Sequence, residues 1–339
     1  MQQIVQYSLF DNILWSDRQK NRDYLIGDCL KFIDLFAGIG GIRIAFERTG
    51  SKCVFSSEWD KYARKTYAAN FNEVPHGDIT KIDSKVIPDF DILCGGFPCQ
   101  PFSSIGKRQG FKHQTQGTLF DEIVRILEYK KPIAFFLENV EGIVHHNNGK
   151  TLQVILESLD DLNYEVFYQV LDAASFGVPQ HRKRIYFVGF NRDYSHKAIQ
   201  FNFPQGKKEK TDIGQFIETH EDGYCISKHL QKTYLFKKDD GRPQLIDRNS
   251  KGCIKTLVST YHKIQRLTGT FVKDGKTGIR LLSENECKAI MGFDRDFIIP
   301  VSRTQMYRQF GNSVVIPVVT AITQEMKKTI YKMNVIIKA

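Results

Sequence analysis

Cys99 stands within Gly95-Gly96-Phe97-Pro98-Cys99-Gln100-Pro101-Phe102-Ser103, directly after the apolar run Asp91-Ile92-Leu93-Cys94. Glycines let a chain turn without side-chain obstruction, and Pro98 and Pro101 fix φ on either side of the thiol. A thiol displayed at a strand end, where open α/β sheets do their chemistry, is a candidate nucleophile. A lone cysteine also suits an inert small hydrophobe, because reactivity depends on its surroundings. Glu138 ends a second apolar run, Ala134-Phe135-Phe136-Leu137-Glu138-Asn139-Val140. A carboxyl group in an apolar setting holds its proton more tightly, which suits it to bond a ring nitrogen. A structural bond to a helix end is the other use of such a residue. In Gln180-His181-Arg182-Lys183-Arg184 strand alternation sends residues 180, 182 and 184 to one face. Two guanidinium groups there could hold an anion or a carbonyl oxygen, or simply form a basic strand edge.

A second group of residues suits a nucleoside. Gly38-Ile39-Gly40-Gly41 follows the apolar run Lys31-Phe32-Ile33-Asp34-Leu35-Phe36 and precedes an amphipathic stretch. Such a turn brings a ligand against the backbone at a helix N-terminus. Glu58, 20 residues after Gly38, falls past the next strand, where a carboxylate can accept bonds from ribose hydroxyls. The third glycine of the dinucleotide fingerprint is missing, since residue 43 is Arg, so a nucleoside without phosphates fits better than a dinucleotide. Asp78, in Gly77-Asp78-Ile79, could face an adenine amino group or serve as a turn residue. Trp59 and Phe36 could sandwich a purine or belong to the core.

The elements that must carry these residues alternate. Strands are predicted over 31–36, 53–55, 91–94, 133–137, 164–171 and 184–190, the last two joined through Phe176-Gly177-Val178-Pro179. Helices are predicted from Ile42, with Ala45 and Phe46 on the same face and Gly50 as its end, over 119–129, over 152–162 with Leu152, Ile155, Leu156 and Leu159 inward, over 283–291 and over 315–331. This rhythm predicts an α/β fold, a largely parallel Rossmann-like sheet covered on both sides. Beyond Asn191 the rhythm breaks, and residues 204–280 show only short alternating runs rich in Gly, Lys, Asp and Thr. The expected division is a discontinuous catalytic and cofactor domain, 1–190 with 300–339, and a smaller β-rich domain over 191–299. Residues 103–118, with Ser103, Lys107 and Arg108, have the composition of a basic lid near the nucleophile.

Charge and cysteine usage narrow the class. Of the net +10, an excess of 8 falls between Asn191 and Arg280, with 18 Lys and Arg against 10 Asp and Glu. A basic segment on a nearly neutral body points to a polyanion, or else to a well-solvated surface. The 7 cysteines are odd in number and scattered, which suggests neither a disulfide framework nor a metal site and fits a reducing cytoplasm. The apolar run Val314–Val319 is too short to span a bilayer, and no leader pattern opens the chain.

Taken in order, these pieces resemble the cytosine-5 methyltransferase family, in the layout of its short bacterial DNA-modifying members. The resemblance covers Asp34–Gly41, Glu58-Trp59, Gly77-Asp78-Ile79, Gly95–Ser103, Glu138-Asn139-Val140 and Gln180-x-Arg182-x-Arg184. It continues through Arg280–Glu286 and Gly292-Phe293 to Gln309-Phe310-Gly311-Asn312-Ser313-Val314. Asp294, where the family often has proline, and the lead before Phe32 depart from the pattern without touching the chemistry. The resemblance implies S-adenosylmethionine as cofactor, held by Phe36, Gly38, Gly40, Glu58, Trp59, Asp78, Ile79 and Pro98, with Asn312 and Ser313 completing the site. It implies a cytosine extruded from duplex DNA, a Cys99 thiolate that adds to C6, Glu138 at N3 and the amino group, and Arg182, with Arg184 beside it, on the carbonyl edge. It also implies a target-recognition role for the second domain, DNA contacts at Ser103, Lys107, Arg108, Thr256 and Thr268, a monomer, no metal, and a cognate restriction endonuclease as a separate protein. Three other readings remain at this level. A nicotinamide oxidoreductase would use only the glycine turn and Glu58, a non-catalytic DNA binder would need none of Cys99, Glu138 and Arg182, and a family member acting on tRNA would share them all.

Overall fold

The computed structural model describes residues 29–97, 119–195, 197–219 and 223–333. Six strands form the main sheet: β1 (Lys31–Leu35), β2 (Lys52–Ser57), β3 (Ile92–Gly96), β4 (Ala134–Val140), β5 (Tyr164–Asp172) and β6 (Lys183–Asn191). Their spatial order is β2-β1-β3-β4-β6-β5. The β1, β2, β3 and β4 neighbours pair in parallel. A parallel sheet needs helices on both faces, which is why β1 is buried at every position after Lys31.

The helices follow the strands: α1 (Gly41–Arg48), α2 (Lys61–Phe71), α3 (Leu119–Lys130), α4 (Lys150–Asp161), α5 (Glu284–Met291), α6 (Arg303–Asn312) and α7 (Ile316–Lys332). Alternation along the strands divides the core into two layers. Ile33, Leu35, Leu93, Phe135 and Leu137 pack with Phe120, Ile123 and Leu127 of α3 and with Ile155 and Leu159 of α4. On the other face Phe32 and Phe136 meet Phe46 of α1, and α7 lies against α1. The chain therefore returns from its C-terminal end to the first βα unit. The inward residues of α1 and α4 are those that the 3.6-residue spacing predicts, apart from Leu156, which is partly buried.

Three features depart from the sequence expectation. First, β6 runs antiparallel to both β4 and β5. A hairpin joins consecutive strands that pair directly, and consecutive strands joined by a hairpin must be antiparallel. Second, α2 and α6 carry no clear apolar period. Asp60 starts α2 by accepting the Tyr62 and Ala63 amides at 2.9 and 2.8 Å, so its signal is a cap rather than a stripe. Third, residues 204–280 are less strand-rich than their alternating runs suggest. Among the described residues they hold only β7 (Gln244–Ile246) and β8 (Thr270–Val272), paired in parallel. The intervening Gly, Asp and Lys interrupt each ladder after a few residues, and side-chain bonds to backbone take its place.

The strand order reverses between β1 and β3, so the loops that leave these neighbouring strands open a crevice at the C-terminal edge. The antiparallel β6 begins at that same edge, with Arg184 opposite Val140.

Candidate active site

The turn after β1 is held open by backbone geometry. Phe36, Gly38 and Gly40 have φ of 57°, 57° and 86°. Only glycine adopts such angles without cost, so Gly38 and Gly40 suit the turn, whereas Phe36 is held there by its surroundings. Glu58 closes the turn from β2. Its Oε2 accepts the Gly38 amide at 2.8 Å and its Oε1 the Asp60 amide at 2.7 Å. Burial pushes the Glu58 carboxyl above its ordinary pKa, outweighing those two amide bonds. Ser57 donates to the Gly77 carbonyl at 2.8 Å and so keeps Gly77-Asp78 beside the same strand end. Asp78 caps the following turn through Oδ1, which accepts the Thr80 amide and hydroxyl. Ile79 is buried, while Trp59 is 77% exposed, so its indole is not a core residue.

Ser313 arrives at this turn from the C-terminal end of α6. A Cβ at Gly41 would stand 2.8 Å from Ser313 Oγ, a closeness that only glycine permits. Asn312 beside it is exposed. The two segments of the expected cofactor site, far apart in sequence, thus meet through Gly41 and Ser313.

At the centre of the edge, Gly96 pairs with Glu138 across β3 and β4. Asn139 donates from Nδ2 to the Phe97 carbonyl at 3.0 Å and fixes the chain where it leaves β3. Sequence reasoning gave Asn139 no role of its own. Pro98, Cys99, Ser103, Lys107 and Arg108 lie outside the described residues. Glu138 faces Arg184, with Oε1 3.1 Å from Nε. Burial raises the Glu138 pKa, while the charges of Arg184 and Arg182 pull against that rise without cancelling it. A carboxyl that holds its proton more tightly, beside a guanidinium, can donate to a ring nitrogen.

The alternating Gln-x-Arg-x-Arg residues divide into two jobs. Gln180 is fully buried, donates to the Ile290 carbonyl at 3.3 Å and accepts the Leu257 amide at 2.8 Å. Arg182, 3% exposed, donates to the carbonyls of Leu257, Gly311 and Ser313 at 2.9, 2.9 and 2.6 Å. Burial pushes its pKa down to about 9. Both residues tie the 254–259 segment to the sheet, while Gln180 also holds the end of α5 and Arg182 the end of α6. Close approach is needed there: a Cβ at Gly311 would fall 2.1 Å from the Ser259 amide nitrogen. Arg184 instead keeps its Nε on Glu138. The guanidinium paired with the Glu138 carboxyl is therefore Arg184, whereas both terminal nitrogens of Arg182 are committed to backbone carbonyls.

Thr256 donates to the His181 carbonyl at 2.6 Å and faces the cleft beside Arg184. Thr268 lies apart from that cleft and donates to Gln265 Oε1 at 2.9 Å. Among the described residues no group of three or more His, Cys, Asp or Glu could hold a metal ion, and no helix is long and apolar enough to cross a membrane.

Residues 30–328 match the model of the C-5 cytosine-specific DNA methylases. The chain belongs to that family. It is 62% identical over 304 residues to the type II methyltransferase M.MspI of a Moraxella species, covering 90% of this chain and 72% of the relative. It is 58% identical to M.BsuFI of Bacillus subtilis, over 88% of this chain and 73% of that one, and 39% identical to M.HhaI of Haemophilus parahaemolyticus, over 86% and 93%. The fold is similar to that of the Dnmt2 methyltransferase of S. pombe, with a TM-score of 0.71 at 19% identity, covering 88% of this chain and 99% of that one. This C-5 cytosine-specific DNA methylase is accordingly an enzyme of DNA (cytosine-5) methylation, and its sheet is the sheet of that fold.

Proposed function

We propose that this enzyme transfers the methyl group of S-adenosylmethionine to C5 of a cytosine extruded from a specific duplex DNA sequence. The observation that carries this reading is the Glu138–Arg184 pair, set across from Gly96 where the chain leaves β3 toward Cys99. Cys99 follows Phe97 by two residues in the sequence.

The donor set fits the cofactor. Each Glu58 oxygen accepts one amide and keeps acceptor capacity for a ribose hydroxyl. Trp59 offers an exposed indole to a purine, Asp78 a carboxylate, and Phe36, Ile79, Pro98, Asn312 and Ser313 would complete the enclosure. None of these residues is Lys or Arg, which suits a nucleoside without phosphates. S-adenosylmethionine, when bound, supplies an electrophilic methyl group.

C5 of cytosine is a poor nucleophile until C6 is attacked. The Cys99 thiolate forms a bond to C6, and Glu138 delivers a proton to N3 as the ring electrons shift. Arg184 keeps Glu138 in place and faces the carbonyl edge, while Arg182 anchors the backbone around Leu257 and Gly311. C5 then takes the methyl group and loses its proton, N3 gives its proton back, and the C6–S bond breaks to restore the aromatic ring. Base extrusion is the general solution for enzymes that modify a base within a duplex.

Residues 1–190 with 300–339 would form the catalytic and cofactor domain, and 191–299 the target-recognition domain. Ser103, Lys107 and Arg108 would close over the DNA, and Thr256 and Thr268 would face it. The type II relatives support a modification role paired with a separate restriction endonuclease. Methylation of a mixed-sequence plasmid, read by bisulfite sequencing, tests activity, position and target together. Full protection of one cytosine in one short sequence is expected. Activity on tRNA with none on DNA would overturn the reading.

A further inference from the structure

Arg266 is 5% exposed, and its side chain reaches into the backbone of a separate turn. Nε donates to the Leu235 carbonyl and one terminal nitrogen to the Lys238 carbonyl, each at 3.0 Å. The same terminal nitrogen pairs with Asp240 Oδ1. Asp240 Oδ1 also accepts the Arg242 amide at 3.2 Å, so the turn is closed on itself as well as on Arg266. The Arg266 amide donates to the Tyr234 hydroxyl at 3.4 Å. Burying a guanidinium is costly unless its donors are matched, and here one turn supplies the matching acceptors to a rigid planar fork.

The turn and the loop joined in this way both leave side chains exposed. Phe236, Lys237, Lys238 and Asp239 are exposed in the turn, and Leu267 and Thr268 beside Arg266 in the loop. Lys237 Nζ lies 5.7 Å from the centre of the exposed Tyr234 ring. Lys237 and Lys238 form no ion pair among the described residues, and Asp240 is already taken by Arg266. Within the turn Lys237, Lys238 and Arg242 therefore stand against Asp239 alone. Unmatched cations among exposed aromatic rings are the composition of a surface that meets nucleic acid.

The loop that carries Arg266 starts at the catalytic edge. Thr256 donates to the His181 carbonyl, and Leu257 is held by Gln180 and Arg182. Lys255 Nζ donates to the Leu267 carbonyl at 3.0 Å and closes the base of the loop. The Gly269 amide donates to the Gln265 carbonyl at 2.8 Å. Between them Ile264 has φ of 52°, a left-handed conformation that a β-branched residue keeps only where its surroundings impose it. A continuous set of bonds thus runs from Arg182 through residues 256–268 to Arg266 and the exposed turn.

We propose that Arg266 is a positioning residue for target recognition. It locks the 235–240 turn onto the 256–268 loop, so that the turn meets base pairs flanking the extruded cytosine in a register set by the catalytic edge. The proposal rests on the reading of the chain as a duplex DNA methyltransferase. Arg266 touches neither the base nor the methyl donor in this arrangement, so it governs KM for DNA and discrimination between sequences, and leaves kcat alone.

Steady-state methylation by the intact enzyme tests this, on a duplex carrying its bisulfite-mapped target and on duplexes with one base pair of that target changed. One wrong base pair costs a specific interface roughly 10–100-fold. Arg266→Ala should raise KM for the target duplex while kcat stays within about twofold. At one or more positions it should also lower the kcat/KM ratio of target to changed duplex by roughly tenfold. That ratio does not depend on how much of the enzyme is folded, so lost stability alone leaves it unmoved. Asp240→Ala, which removes only the more exposed partner of the pair, should lower the same ratio by a smaller factor. An unchanged ratio at every position in Arg266→Ala, or in Asp240→Ala where the first variant does not fold, would overturn the positioning role while wild-type methylation stands. A wild-type enzyme that methylates no duplex DNA would overturn the functional reading and this role together.

Discussion

Arg184 Nε lies 3.1 Å from Glu138 Oε1 because β6 runs antiparallel to β4 and begins where β4 ends. Glu138 feels burial, which raises its pKa, and the guanidinium, which lowers it. Removal of the cation should therefore raise the Glu138 pKa further. If the protonated carboxyl is the active form, kcat falls as pH rises through that pKa. Arg184→Ala should then move the alkaline limb of the kcat profile to higher pH and lower kcat by roughly 10²–10³-fold, the loss typical of a removed electrostatic partner. Glu138→Gln should abolish the limb. A limb that stays in place in Arg184→Ala would show that the pair is not coupled.

Arg182 predicts the opposite balance of effects. Its guanidinium serves three backbone carbonyls from two segments, one around Leu257 and the other at the end of α6. Arg182→Met would leave those acceptors buried and unpaired, at a cost of about 3 kcal/mol or more in stability. Arg182→Lys should recover only part of this, because an ammonium cannot reproduce the planar fork. Urea unfolding should thus rank Arg182→Met well below Arg184→Ala. The reverse order would mean that Arg182 has no such anchoring role.

Much of this arrangement was legible in the residues. The period of α1 and α4, the glycine turn and Glu58 beyond β2 follow from spacing alone, and the ordered motifs pointed to the family. The division of labour between Arg182 and Arg184 was not legible. Alternation puts both on one face, but which one reaches Glu138 depends on the antiparallel register and on Gly311 lying against Ser259. Asp172 was hidden for a similar reason. It ends β5 as an ordinary alternating residue, and its bond to His181 exists only because the hairpin returns over it. The irregular 204–280 segment defeats periodicity because side-chain bonds to backbone, rather than ladders, hold it.

Asp34 gives stability a pH dependence. It is completely buried in β1, and neither carboxylate oxygen closes a hydrogen bond. Burial pushes its pKa up to about 8, against the attraction of Arg43. Between about pH 4 and 8 the folded chain keeps a proton that the unfolded chain has released, so this residue's contribution to stability falls as pH rises through that window. The slope should approach roughly 1.4 kcal/mol per pH unit for one proton. Asp34→Asn removes the titration and should flatten that part of the profile. Urea midpoints at pH 5 to 9 would test this, and parallel profiles for the two proteins would refute it.

A buried ion pair holds the segment before α5. Arg280 is fully buried, and its two terminal nitrogens lie 2.8 Å from the two oxygens of Glu286, while Nε lies 2.9 Å from Asp274. Glu286 also accepts the Ser283 amide at 2.7 Å and the Glu218 amide at 2.8 Å, so one carboxylate caps α5 and joins it to the segment around 218. Breaking such a pair leaves a buried charge without its partner and costs about 3–5 kcal/mol, whereas removing both charges costs less than the separate losses combined. Arg280→Met should therefore destabilise strongly. Arg280→Met with Glu286→Gln should recover part of the loss, since the amide keeps an acceptor for the backbone bonds without the charge. Strict additivity of the two substitutions in a urea double-mutant cycle would mean that the two groups do not act as a pair.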